Sequence, residues 1–138
     1  MNRPPPVTFV GFVSEAGGKL VQDWFDALSI EDRDEIRDTV NYLVATPITE
    51  WKRPEVDKVN HPLVEIRCKG QAGNAIRIYG AFSQDVRARF VILNATTNKK
   101  KSHDKEAQEL AKKRLKSIKS GKASIHEFSF EERSDRQS

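Results

Sequence analysis

Arginine and lysine are the side chains here whose types and spacing suggest chemistry. Val64–Cys68 alternates, with Val64, Ile66 and Cys68 on one side and Glu65 and Arg67 on the other. Ala75–Phe82 alternates too, with Ile76, Ile78 and Phe82 predicted inward and Arg77 and Tyr79 outward. A period of two is a strand signal, and residues 70–74 read as a turn. The two strands should form a hairpin with Arg67 across from Arg77 within a pair or two. Like charges side by side on a sheet repel. They are tolerated when an anion sits between them or when Glu65 pairs with one. Two readings stand: a surface Glu65–Arg67–Arg77 salt-bridge ladder, or an anion site.

The second cationic feature is the run Asn98-Lys99-Lys100-Lys101, followed by His103 and Lys105. Taken alone, such a run is ordinarily a solvated loop. Its neighbourhood raises the alternative. The chain carries a net charge of +4, but residues 64–122 carry +10, against −4 for residues 1–63 and −2 for 123–138. The arginine strands, the lysine run and a helix with Lys112, Lys113, Arg114, Lys116 and Lys119 all fall in the basic segment. A clustered basic surface attracts phosphates. Aromatic partners are scarce there, so phosphate contacts should dominate over base stacking. A pair of histidines would be the simple acid–base route to RNA cleavage. His61 and His126 read as ordinary surface residues, and His103, bordering the lysine run, is the candidate to keep. Carboxylates in the basic segment are scattered, which disfavours a two-metal nuclease. No metal or cofactor is expected.

These groups need a scaffold. Val7–Val13 reads as a strand buried on both faces. Lys19–Leu28 has helix spacing, and Ser29 with Asp32 resembles the start of a second helix ending near Ala45. The outer face of that helix is expected to be acidic, with Glu31, Asp32, Asp34, Glu35 and Asp38. Residues 46–63, with three prolines, should be loop. Val86–Thr97 reads as a central strand and Asp104–Ile118 as a helix with a narrow apolar stripe. The predicted order is β-α-α-β-β-β-α, an α+β fold with a small, mostly antiparallel sheet. The 138 residues fit one domain, here 1–119. A polar tail, 120–138, should be mobile apart from one docked strand or turn around Ile125, Phe128 and Phe130. The lone Cys68 excludes an intrachain disulfide and a multi-cysteine metal site. There is no apolar leader or membrane-length run, and no phosphate loop, HExxH or G-x-S-x-G. A cytoplasmic protein is expected.

Several of these segments are similar to a known family. Leu63-Val64-Glu65-Ile66-Arg67 resembles the L-x-E-[IL]-R strand of the RelE/HigB toxin superfamily, in particular its phage Gp49-like branch. Ala75–Tyr79 resembles the next strand, x-x-R-[IVL]-x-[YF]. Val91–Lys100 resembles the v-x-L-h-a-F-x-K-K segment, and Glu109–Leu115 resembles the closing helix. The chain departs from the pattern at Asn94 (often His) and Thr96 (usually Phe), and at Asn98 (the first Lys of the pair) unless the alignment slips by one and Lys99-Lys100 are the pair. His103-Asp104 stands where many relatives have Thr-Pro. The resemblance implies a RelE-like fold over about residues 7–118. It also implies a toxin held by an antitoxin, a small helix-turn-helix protein. Such toxins enter the ribosome and cut mRNA without a metal, by attack of a ribose 2′-OH on its phosphate. Under that resemblance Arg67 and Arg77 bind the phosphate and the transition state. Lys99 takes part in catalysis, and His103, from its place beside the lysine run rather than from the pattern, is the candidate acid or base. Lys69, Lys100, Lys101, Lys112, Lys113 and Lys116 bind RNA. A ParE-like topoisomerase inhibitor and a non-catalytic phage-derived binding module are the alternatives.

Overall fold

The computed structural model describes residues 6–98 and 104–131. Within them the chain is α+β: three α-helices and a six-stranded mixed sheet. Strand β1 (Thr8–Val13) leads to α1 (Leu20–Asp26) and α2 (Ile30–Val44). Then come β2 (Val56–Asn60), β3 (Leu63–Lys69), β4 (Ala75–Phe82) and β5 (Arg89–Asn98). Helix α3 (Lys105–Lys119) and β6 (Ser124–Glu127) complete the order. The sheet runs β2-β3-β4-β5-β1-β6. All neighbours are antiparallel except β1 and β5, which are parallel.

Local chemistry sets the element boundaries. Ser29 caps α2 by accepting from the Asp32 amide at 3.1 Å. Asp32 is not on the acidic outer face as expected: it is 7% exposed, because its carboxylate turns to the sheet and accepts from the Gln71 amide at 3.1 Å. The start of α2 is thereby tied to the β3–β4 turn. Trp51 donates its indole N–H to the carbonyls of Leu43 and Thr46, satisfying the open end of α2. Asp104 caps α3, accepting from the Ala107 amide at 3.2 Å.

Both sheet faces are covered. On one, α1 and α2 pack Val21, Phe25, Ile36, Val40 and Leu43 against Ile66, Ile76, Ile78, Phe90 and Ile92. On the other, α3 lays Ala107 and Ala111 over Leu63, Tyr79, Val91 and Leu93. This corrects one expectation: Arg77 and Tyr79 do not face solvent. They are 1% and 0% exposed, because α3 needs a surface for its apolar stripe and takes the strand face that alternation marked as polar. β4 also changes register against β5 after Tyr79. Gly80 is required there, since a Cβ would overlap the Val91 carbonyl oxygen and the Phe90 ring.

One strand lies where loop was expected, and the docked strand expected in the tail is present. β2 sits inside the expected 46–63 loop: Val56 enters the core opposite Ile66, while Asp57, Lys58 and Asn60 mask the period. β6 is the docked strand of the C-terminal segment and pairs with β1. Beyond it Phe128 is buried, and Phe128 and Phe130 pack their rings against Phe25. Gln22 holds Ser129 by a reciprocal pair of bonds, at 2.8 and 2.9 Å, and Arg37 donates to the Phe130 carbonyl at 2.6 Å. A strand apolar on both faces needs a neighbour on each edge, and β5 and β6 supply them for β1. Among the described residues no helix is long and apolar enough to cross a membrane.

Candidate nucleic-acid interface

The β3–β4 hairpin sets Arg67 directly opposite Arg77, and Glu65 opposite Tyr79. All four therefore share the face covered in part by α3. The Glu65 carboxylate is fully buried between the two guanidiniums. Its Oε2 accepts from Arg67 Nη2 at 2.8 Å, and its Oε1 lies 3.9 Å from Arg77 Nε. The expected ladder is present, but as a graded one rather than a surface one. Glu65 and Arg77 are buried, while the Arg67 side chain is 41% exposed. One donor of Arg67 is held by Glu65, and the guanidinium reaches solvent, where a phosphate oxygen can meet it.

Behind this pair the network continues. Arg77 Nη1 donates to Asn98 Oδ1 at 3.1 Å, and Asn98 Nδ2 donates to Asp104 Oδ2 at 3.4 Å. Asp104 is buried and caps α3, so a chain of polar contacts runs from the sheet arginine to the helix N-terminus. Two further bonds fix α3 on β5. Asn94 Nδ2 donates to the Ala107 carbonyl at 3.0 Å, and Arg114 donates to the Leu93 carbonyl at 2.9 Å and to Asn94 Oδ1 at 3.3 Å. Arg114 also lies 5.0 Å from the centre of the Phe12 ring. Asn94, which stands where the similar motif often has His, thus serves to seat the helix. Burial and the nearby Glu65 charge push the Tyr79 hydroxyl up to about 12, so it stays a neutral phenol near pH 7.

The other sequence-derived candidates divide in three. Lys69 is exposed at the end of β3, on the same strand face as Arg67. On α3, Lys113 and Lys116 are exposed, and Lys112 is half-buried with Glu109 3.9 Å away. Lys99, Lys100, Lys101 and His103 lie outside the described residues. His61 is exposed in the β2–β3 turn. His126, opposite Gly11, is half-buried on the other face of the sheet with Phe128. Burial lowers its pKa, and it is remote in orientation from the arginines. Among the described residues no three His, Cys, Asp or Glu side chains are grouped to hold a metal ion. Sequence reasoning missed Asn98 and Asp104 as parts of the site. Their only signal was position, at the two ends of the lysine run.

The arrangement places one solvent-facing guanidinium, backed by a buried acid and a buried second guanidinium, on the sheet face that carries a lysine-rich helix. A guanidinium so exposed and held can donate to a phosphate oxygen. Comparison with known proteins finds no match among curated proteins. A family model does match: "Phage derived protein Gp49-like (DUF891)", over residues 23–116, from within α1 to near the end of α3. About two thirds of the chain, including every strand and helix that builds the arginine network, is covered by that match, and the chain belongs to the phage-derived Gp49-like family of RelE/HigB-like toxins.

Proposed function

We propose that this chain is the toxin of a toxin–antitoxin pair and cuts mRNA on the ribosome without a metal. The observation that carries the reading is the exposed Arg67, oriented by the buried Glu65 on the face that bears the basic helix α3. In the proposed reaction a ribose 2′-OH loses its proton and attacks the adjacent phosphorus. The P–O5′ bond breaks, O5′ takes a proton, and a 2′,3′-cyclic phosphate remains. The five-coordinate phosphorane carries extra negative charge, and a preorganised guanidinium is suited to stabilise it. Arg67 makes that contact. Arg77 sets the positions of Glu65 and Asn98 from behind. Lys99 and His103, adjacent in sequence to Asn98 and Asp104, are the proposed proton-transfer groups. Lys69, Lys100, Lys101, Lys112, Lys113 and Lys116 hold the RNA backbone. The proposed partners are the ribosome with its mRNA and a small helix-turn-helix antitoxin.

The test is induced expression in cells followed by mapping of mRNA 5′ ends. Cuts within translated regions, absent for Arg67→Ala at equal protein level, are expected. Intact mRNA with an induced DNA-damage response would instead indicate a topoisomerase target.

A further inference from the structure

We infer that Asn98 is a positioning residue that works as a polarity adaptor between the sheet arginines and α3. The inference rests on the endonuclease reading for its consequence in catalysis, but not for its geometry. Asn98 is the last residue of β5, and Asp104 is the N-cap of α3. The Asn98 amide offers its oxygen to a cation, Arg77 Nη1 at 3.1 Å, and its NH2 to an anion, Asp104 Oδ2 at 3.4 Å. A lysine there would present only donors and face Arg77 with a like charge. An aspartate would present only acceptors and face Asp104 with a like charge. A side-chain amide satisfies both ends at once.

The adaptor acts through α3. Asp104 Oδ1 holds the Ala107 amide, and the Ala107 carbonyl is held by Asn94. Asn98 thus joins Arg77, through Asp104, to the first turn of the helix whose exposed side carries Lys113 and Lys116. It sets where that helix begins relative to Arg67. Affinity for RNA is spread over many phosphate contacts and tolerates a small shift of α3. Turnover is less tolerant, because a misplacement of roughly 1 Å costs about 100-fold in rate.

Reversing the polarity at both ends gives the test. Asn98→Asp keeps the acceptor for Arg77 and sets two carboxylates against each other. Adding Asp104→Asn restores a donor–acceptor pair with the roles exchanged, and asparagine still caps the helix. The measurements, on the full chain, are single-turnover mRNA cleavage on purified ribosomes, ribosome affinity, and amide exchange in the first turn of α3. N98D is expected to slow cleavage by about 10- to 100-fold beyond any loss of ribosome affinity, and to speed exchange. The N98D/D104N chain is expected to recover most of both. Asn98→Ser, which keeps a donor and an acceptor on a shorter stem, serves if N98D does not fold, with an intermediate loss expected. A double variant no better than N98D, or an N98D chain that behaves as wild type, would overturn the adaptor. If the wild-type chain does not cut mRNA, the endonuclease reading fails. The exchange pattern over the same variants then decides the adaptor by itself.

Discussion

Replacing Phe128 with alanine is expected to destabilise the chain by about 3–5 kcal/mol, the range for truncating a buried aromatic ring. Phe128 lies beyond the family-matched region, in the segment that its polar composition marks as tail. Yet it is 7% exposed, with ring centres 5.9 Å from Phe25 and 4.8 Å from Phe130. Its amide donates to the Phe9 carbonyl at 3.2 Å, continuing the β6–β1 pairing. Small domains are stable by roughly 5–15 kcal/mol, so one ring is a large share. A second substitution tests whether the contact itself is responsible. A Cβ on Gly11 would lie 2.7 Å from Phe128 Cδ2 and 2.8 Å from His126 Nε2. Gly11→Ala should therefore cost about 1–3 kcal/mol by overpacking. With the ring gone, much of that conflict goes too. The G11A/F128A double variant should then fall short of the summed costs by at least about 0.5 kcal/mol. Urea unfolding of the full chain, followed by tryptophan fluorescence, measures all four corners. A loss below about 1 kcal/mol for F128A, or additivity within about 0.3 kcal/mol, would refute the reasoning. The outcome also bears on function: a chain cut at residue 120 would lose activity through lost folding, whatever its tail does to RNA.

Glu65→Gln leaves Arg77 buried beside a neutral amide and should cost about 3 kcal/mol; an unfolding midpoint equal to wild type would contradict the buried pair. Arg67→Ala takes the 2.8 Å donor from the fully buried Glu65 carboxylate and should cost about 1–3 kcal/mol. It should lower mRNA cleavage by about 100-fold or more, and equal loss of folding and cleavage would count against a phosphate contact. Gly80→Ala forces a Cβ into Val91 and Phe90 and should cost at least about 1–3 kcal/mol, read as a lower Tm. At alkaline pH, burial raises the Cys68 thiol from 9.0 to about 11 and the Tyr79 hydroxyl from 10.0 to about 12. Both folded values exceed the unfolded ones. Their contribution is complete below pH 9, declines above it, and is lost as pH rises through 11 to 12. For Cys68 this amounts to about 3 kcal/mol. Cys68→Ala should flatten the stability profile between pH 9 and 11 in urea unfolding.

What was legible in the sequence is what short-range pattern encodes. Alternation in 64–68 and 75–82 with a turn between them is enough to put Arg67 against Arg77, and the register agrees. Ser29 announces the start of α2, and its side chain does cap that helix; the last helix was expected from about Asp104, which proves to be its N-cap. The rest depends on long-range packing. The burial of Arg77 and Tyr79 follows from where α3 settles, and nothing in 75–82 records that. β2 is an edge strand whose one well-buried residue, Val56, is flanked in the sequence by Glu55, Asp57 and Lys58. β6 is explained by the need of β1 for a second neighbour, 111 or more residues away in the chain. Asn98 and Asp104 meet only because α3 folds back over β5, so no period in the sequence marks them.

The burial gradient decides how the two arginines divide their work. Arg67 and Arg77 bring two positive charges, and Glu65 and Asp104 bring two negative ones within the same contact network. The four groups together are neutral. A charge 6 Å from a phosphate is worth about 3 kcal/mol at an effective dielectric of 20, but Glu65 offsets Arg77 at a comparable distance. The arginine pair is therefore no general cationic patch. What it offers a phosphate is the direct, oriented contact of Arg67, whose exposed guanidinium is held by an acid that cannot move. The long-range attraction must come from elsewhere in the +10 segment, and α3 with Lys105, Lys113, Lys116 and Lys119 exposed supplies part of it. The acidic side chains of α2, Glu31, Asp34, Glu35 and Asp38, are exposed on the helix that covers the opposite face of the sheet. The molecule is thus polarised across its sheet, which turns the Arg67 face toward a polyanion. On this account, salt should weaken RNA affinity strongly while leaving the Arg67 contribution to turnover nearly unchanged, because screening acts on the spread lysine charge more than on a close hydrogen-bonded pair.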